Sequence, residues 1–134
     1  MKLFAAILVL ATFSSASRDF VSELRAHEGD SYSDVTCSAL ITRSAHRGEC
    51  KAAEIWNGCG GELSLVEEVP AWSELRDLKS GDVLVVGGAH VAAYLGGGEF
   101  IDSTPERGVS RFTSVNPNDP WYSKRVRVLR WRTN

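Results

Sequence analysis

The pattern of apolar and polar positions changes period part-way along the chain. Over Arg18–His27 the apolar residues Phe20, Val21 and Leu24 recur at helical spacing, and Gly29 ends the run. A polar loop, Gly29-Asp30-Ser31-Tyr32-Ser33-Asp34, supplies several helix-capping residues. Cys37–Arg43 then predicts a second helix with Leu40 and Ile41 turned inward. Ala52–Trp56 has room for one further helical turn. Leu63–Trp72 is mixed in character, Pro70 breaks it, and Trp72–Leu78 predicts a short helix.

From Ser80 the period becomes that of strands. Asp82–Val86, His90–Leu95 and Glu99–Asp102 are short β-rich runs, separated by the turns Gly87-Gly88-Ala89 and Gly96–Gly98. Pro105–Gly108 predicts a turn, Val109–Thr113 an edge strand, Asn116–Pro120 a loop and Tyr122–Trp131 a final strand. Helices come first and strands second, which predicts an α+β domain built on an antiparallel sheet. There is no internal repeat and no low-complexity tract.

Two polar residues stand inside this meander. If Gly96–Gly98 is a three-residue loop, Leu95 faces Glu99 and Ala92 lies opposite Asp102. His90 and Asp102 then form a diagonal pair on one face, about 7–8 Å apart at the backbone and within side-chain reach. A two-residue loop would shift the register by one and send the two to opposite faces. A carboxylate that orients an imidazole is the base half of a nucleophilic triad.

The chain has 134 residues, 43% of them hydrophobic, which is one domain with enough material for a core. Residues 1–17 read as a secretory leader: Lys2 is a positive start, Leu3–Phe13 is apolar, and Ser14-Ser15-Ala16-Ser17 provides small residues for cleavage. Residues 18–134 are then the mature domain, with no second long apolar run and so no membrane anchor. Cleavage removes Lys2 from the 15 basic residues and none of the 17 acidic ones, leaving a net charge of about -3. That argues against a general nucleic-acid binder, which carries a basic surplus. Lys124, Arg125, Arg127, Arg130 and Arg132 form a local basic strip. It reads as the solvent face of the last strand, or as a surface drawn to anionic cell-wall polymer.

Three cysteines in a secreted chain leave one thiol over. Cys50 and Cys59 flank a turn-rich loop and are placed to close a disulfide worth about 2–3 kcal/mol in the chain-entropy picture. Cys37 is then free, although its pairing with Cys50 or Cys59 would make it structural. A metal set of His46, Cys50 and Cys59 lacks a fourth ligand at any usual spacing. Cys37 sits near a helix N-terminus, where the dipole and free amides favour thiolate and could hold an oxyanion. The competing reading is a buried structural cysteine. The other histidines have plainer readings: His27 ends the first helix and His46 lies in a polar loop. Trp56, Trp72, Trp121 and Trp131 read as core or groove walls.

A cysteine on a helix after a polar loop, then LKSGDVLVV over residues 78–86, then GAHVAAYLGGGEFIDS over residues 88–103, resembles the NlpC-type papain-like cysteine peptidases. These are cell-wall amidases that cut peptidoglycan stem peptides. The short secreted form also resembles type VI secretion amidase effectors and the domesticated versions carried by arthropods such as ticks and mites. The resemblance spans roughly Tyr32 to Ser103. It implies a papain-like fold with N-terminal helices packed on the antiparallel sheet. It also implies Cys37 as nucleophile, His90 as general base and Asp102 in the orienting position. Tyr32 resembles the tyrosine that precedes the nucleophile in that family and positions substrate or oxyanion, and Ser38 follows the nucleophile. Thr36-Cys37-Ser38-Ala39 departs from the usual Asp-Cys-Ser-Gly, and Asp102 stands where a second histidine is common. Cys before His in the chain is the order of the peptidases, the reverse of permuted relatives acting on lipids.

The expectation is therefore a secreted antibacterial cysteine endopeptidase acting as a monomer on bacterial peptidoglycan, with no metal or cofactor. The alternative is a non-catalytic secreted module that binds wall fragments.

Overall fold

The strand-period half of the chain, joined by Leu63–Val69 from the mixed segment before it, forms one six-stranded antiparallel sheet. The computed structural model describes residues 19–116 and 118–132, with Trp121 described in its backbone alone, so the leader expected over residues 1–17 lies outside the described residues. Residues 19–26 form the first helix, α1. It is followed by α2 (Cys37–Ser44) and α3 (Ala52–Trp56). The strands are β1 (Leu63–Val69), β2 (Val83–Val86), β3 (His90–Gly96), β4 (Glu99–Thr104), β5 (Gly108–Phe112) and β6 (Val126–Trp131). Their order across the sheet is β1-β6-β2-β3-β4-β5. The chain is α+β, as its periods predict.

Alternation along the strands divides the interior in two. Val83, Val85, Val91, Ala93 and Ile101 share one buried cluster with Phe20, Leu24, Leu40, Ile41 and Ile55 from the helical half. Leu84, Val86, Ala92, Phe100, Val126 and Val128 share the other with Trp72. Every residue of β2 is thus buried, which explains its unbroken apolar run. Trp72 is held by aromatic contacts to Phe100, Phe112 and Tyr122. Only Trp72–Glu74 is helical there, a single 3-10 turn in place of the short helix expected as far as Leu78.

The hairpin between β3 and β4 reaches the expected pairing by a different route. Gly96 pairs with Glu99 across a two-residue turn, Gly97-Gly98, both at positive φ (60° and 81°). That is the type I′ geometry for which glycine is suited. Leu95 does not face Glu99: it is an extra residue in β3, a bulge between Tyr94 and Gly96. The bulge restores the parity that the shorter turn removes, so Ala92 lies opposite Asp102 after all.

Two strands differ from the sequence reading. The mixed segment from Leu63 is an edge strand, bulged between Leu65 and Glu67, with Leu65 and Val66 both exposed. An irregular edge pairing of this kind erases the alternation by which strands are recognised. The last strand begins at Val126, four residues later than expected, and enters the sheet between β1 and β2. Its basic side chains are internally paired. Arg125 and Arg127 reach Glu68 at 3.1 and 2.7 Å, and Arg130 grips the buried Asp82 at 2.7 and 3.0 Å. Arg127 also lies over the Trp56 ring, 4.4 Å from its centroid.

The polar loop before α2 is tied to the sheet through Gly108. Gly29 N donates to Val109 O and Val109 N donates to Asp30 O, each at 2.9 Å. Gly108 has φ of 66°, and a Cβ there would overlap the carbonyl of Asp30. Gly108→Ala is expected to lower stability by about 2–4 kcal/mol, from left-handed strain plus displaced hydrogen bonds. A urea midpoint unchanged from wild type would disprove that seam.

Candidate active site

Cys37 is the first residue of α2 because Thr36 stops the extended chain and caps the helix. Thr36 has ψ of 171°, and its hydroxyl accepts from Ala39 N. Cys37 is 8% exposed and free of disulfide, whereas Cys50 and Cys59 are bonded to each other. That pairing also removes the sulfurs of the His46, Cys50 and Cys59 metal set. Among the described residues no group of His, Cys, Asp and Glu is arranged to hold a metal ion.

His90 opens β3 immediately after the glycine turn. Its Nε2–H donates to Oδ2 of Asp102 at 2.9 Å, the diagonal pair that the register allows. Asp102 is fully buried. With Nε2 committed, Nδ1 is the ring nitrogen left for Cys37, and a side-chain hydrogen bond joins the two residues. The structure thus brings Cys37, His90 and Asp102 together in sequence order of contact.

The electrostatics favour an ion pair. Burial by itself would raise the Cys37 thiol, but it is outweighed by the hydrogen bond and charge of His90 and by the amides of Val91 and Ser38. Cys37 therefore lies below its ordinary value. Burial would likewise lower His90, yet the Asp102 carboxylate and Cys37 override it and raise the imidazole to about 9. Both shifts act in the same direction, towards a proton on His90 and a thiolate at Cys37.

The thiol and imidazole open onto a groove of about 670 Å³. Tyr32 lines it, while Ser38 contributes its backbone amide, directed at the sulfur. The far wall comes from the turn after β4, including Arg107, and from Ser114, Val115, Asn116, Asp119, Pro120 and Tyr122. Burial and the Asp102 charge push the Tyr122 phenol up to about 12, so it is a neutral wall at physiological pH. Trp72 backs Tyr122 at 5.1 Å between ring centroids, while Trp131 packs on Phe20. Both behave as the core or wall residues expected; the Trp121 side chain lies outside the described residues. His27 is instead engaged with Asp30 at 2.9 Å, and His46 faces Glu23 at 4.0 Å.

The sequence reading missed the amide of Val91, and also Arg107 and Tyr122. Arg107 left one signal, a lone cation in the turn five residues after Asp102. Tyr122 was read as the start of a strand. Compared with models of known protein families the chain matches none, and no curated protein matches it in sequence.

Proposed function

We propose that this chain is a secreted, NlpC-type papain-like cysteine peptidase, its N-terminal helices packed on the sheet, that hydrolyses amide bonds in the peptide part of bacterial peptidoglycan. The observation that carries the reading is the Cys37–His90–Asp102 array opening on a groove. The resemblance of residues 32–103 supplies the substrate: the D-Glu–diaminopimelate bond of a stem, or the D-Ala–diaminopimelate bond of a crosslink. An extracellular antibacterial lysin, acting as a monomer, fits a leader at residues 1–17 and the Cys50–Cys59 bond. No helix among the described residues is long and apolar enough to cross a membrane.

In the proposed reaction Cys37 Sγ, as thiolate, adds to the carbonyl carbon, and the π electrons move to oxygen. The Ser38 amide stands beside the sulfur, where the oxyanion develops. Imidazolium His90 gives its Nδ1 proton to the amide nitrogen, the C–N bond breaks and the amine leaves. The acyl group remains as a thioester on Cys37. His90, now neutral, takes a proton from water. The hydroxide adds to the thioester, the C–S bond breaks, and acid and thiolate are released. Asp102 holds the ring and stabilises its charged form throughout.

The pH dependence follows from the two shifts. Activity requires thiolate and imidazolium together. It is expected to rise as Cys37 ionises below its ordinary value, and to fall as pH passes about 9, where His90 loses its proton. A kcat/KM profile that still climbs beyond pH 10 would contradict the ion pair.

The deciding experiment digests purified sacculi with the chain produced through a secretory pathway, followed by mass spectrometry of the released fragments. New amino termini at diaminopimelate are the expected result and name the bond. Protein bound to sacculi without any release, on diaminopimelate-type and Lys-type walls alike, would overturn the enzyme and leave a module that binds wall fragments.

A further inference from the structure

The charges of the groove have a pattern that the proposed reaction does not use. Arg107 is the one arginine or lysine among its described lining residues, and Glu106 and Asp119 lie on the same wall. Its guanidinium is half exposed, and Nη2 stands 3.9 Å from Oδ1 of Asp102, beyond hydrogen-bond distance. That Oδ1 is itself buried with no hydrogen-bond partner among the described residues. Five other arginines, Arg47, Arg111, Arg125, Arg127 and Arg130, approach a carboxylate at 3.1 Å or less, whereas Arg25 stands 3.6 Å from Glu99.

The backbone of Arg107 is tied down, whereas its guanidinium is half exposed. Its amide donates to the backbone carbonyl and the hydroxyl of Thr104, both at 3.3 Å, and Gly108 beside it is locked under Asp30. A rigid turn therefore presents a guanidinium to the groove, one contact away from the Asp102–His90 pair. Guanidinium matches carboxylate by paired hydrogen bonds, and such charge-assisted bonds gain strength in a partly closed site. Glu106 and Asp119 make the wall unattractive to a polyanion. They suit a single carboxylate with an ammonium group near it, as on an amino acid.

We propose that Arg107 anchors a substrate carboxylate carried by the residue that flanks the scissile amide. The inference rests on the peptidase reading and deepens it, since Arg107 becomes the residue that selects the peptide. Diaminopimelate carries such a carboxylate on its side chain; lysine does not.

The test separates binding from chemistry. The Cys37→Ala chain is titrated calorimetrically with a diaminopimelate stem peptide, and with the same peptide bearing a carboxamide in place of the side-chain carboxylate. The carboxylate peptide is expected to bind about tenfold more tightly, in line with one charge-assisted contact in a half-exposed setting. In Cys37→Ala/Arg107→Gln the ratio is expected to fall below about twofold, and Arg107→Lys in the same background to restore part of it. Equal binding of the two peptides, a ratio that survives Arg107→Gln, or no binding of either peptide would each overturn the anchor. The sacculus digestion judges the peptidase separately, because these titrations involve no cleavage.

Discussion

Cys37→Ala is expected to abolish amide hydrolysis, lowering the rate at least ~10⁴-fold, while the protein stays folded. The loss is large because the sulfur carries the acyl group, and no neighbouring atom can replace it. His90 could only activate water directly, without the two-step path through a thioester. The fold survives because Thr36 keeps its cap and alanine is a better helix former than cysteine at the first position of α2. Release of peptide from sacculi, with circular dichroism to confirm the fold, makes the measurement. In wild type the same thiol is expected to react with iodoacetamide at neutral pH much faster than an ordinary cysteine, and Cys50 and Cys59 not at all. A Cys37→Ala chain that still releases new amino termini would end the nucleophile assignment.

Asp102→Asn is expected to reduce kcat by about 10²–10³-fold with little change in KM. The side chain is buried and nearly the same size, so packing is kept. Two things are lost. The amide can present its NH₂ group to Nε2 and so oppose the required ring orientation, and the charge that raises His90 is gone. Removing that charge lowers the imidazole from about 9, so the alkaline limb of the pH profile moves to lower pH. The direct ties of Cys37 to the Val91 and Ser38 amides remain, which is why the thiolate is weakened and not eliminated. An Asp102→Asn chain with both the wild-type rate and the wild-type alkaline limb would remove Asp102 from the mechanism. The Gly108→Ala variant tests the scaffold behind this chemistry, since it loosens the loop that carries Tyr32 without touching the three side chains.

The two halves of the site were legible to different degrees. His90 and Asp102 belong to one hairpin, and strand alternation with glycine turns restricts their relation to two parities. Parity alone did not settle it: the turn has two residues, and only the bulge at Leu95 returns His90 and Asp102 to the same face. A bulge is stabilised by how neighbouring side chains pack, which no local pattern displays. Cys37 was legible as a helix-start cysteine, but its partner lies 53 residues away. Their meeting depends on Leu40 and Ile41 sharing a core with Val83 and Val91.

By itself the sequence determined what rests on short-range physics. Helical spacing specified α1 and α2, apolar runs between glycines specified β2, β3 and β4, and a nine-residue separation within a turn-rich loop favoured the Cys50–Cys59 bond, which the structure forms while leaving Cys37 free of disulfide. The tertiary structure alone decided what depends on burial between distant segments. It placed β6 between β1 and β2, made an irregular edge strand of Leu63–Val69, and gave Arg125, Arg127 and Arg130 carboxylate partners. It also set Arg107 beside the His90–Asp102 pair. Long-range pairing is selected by the free energy of closing two cores at once, and a residue's own neighbours in sequence carry little of that information.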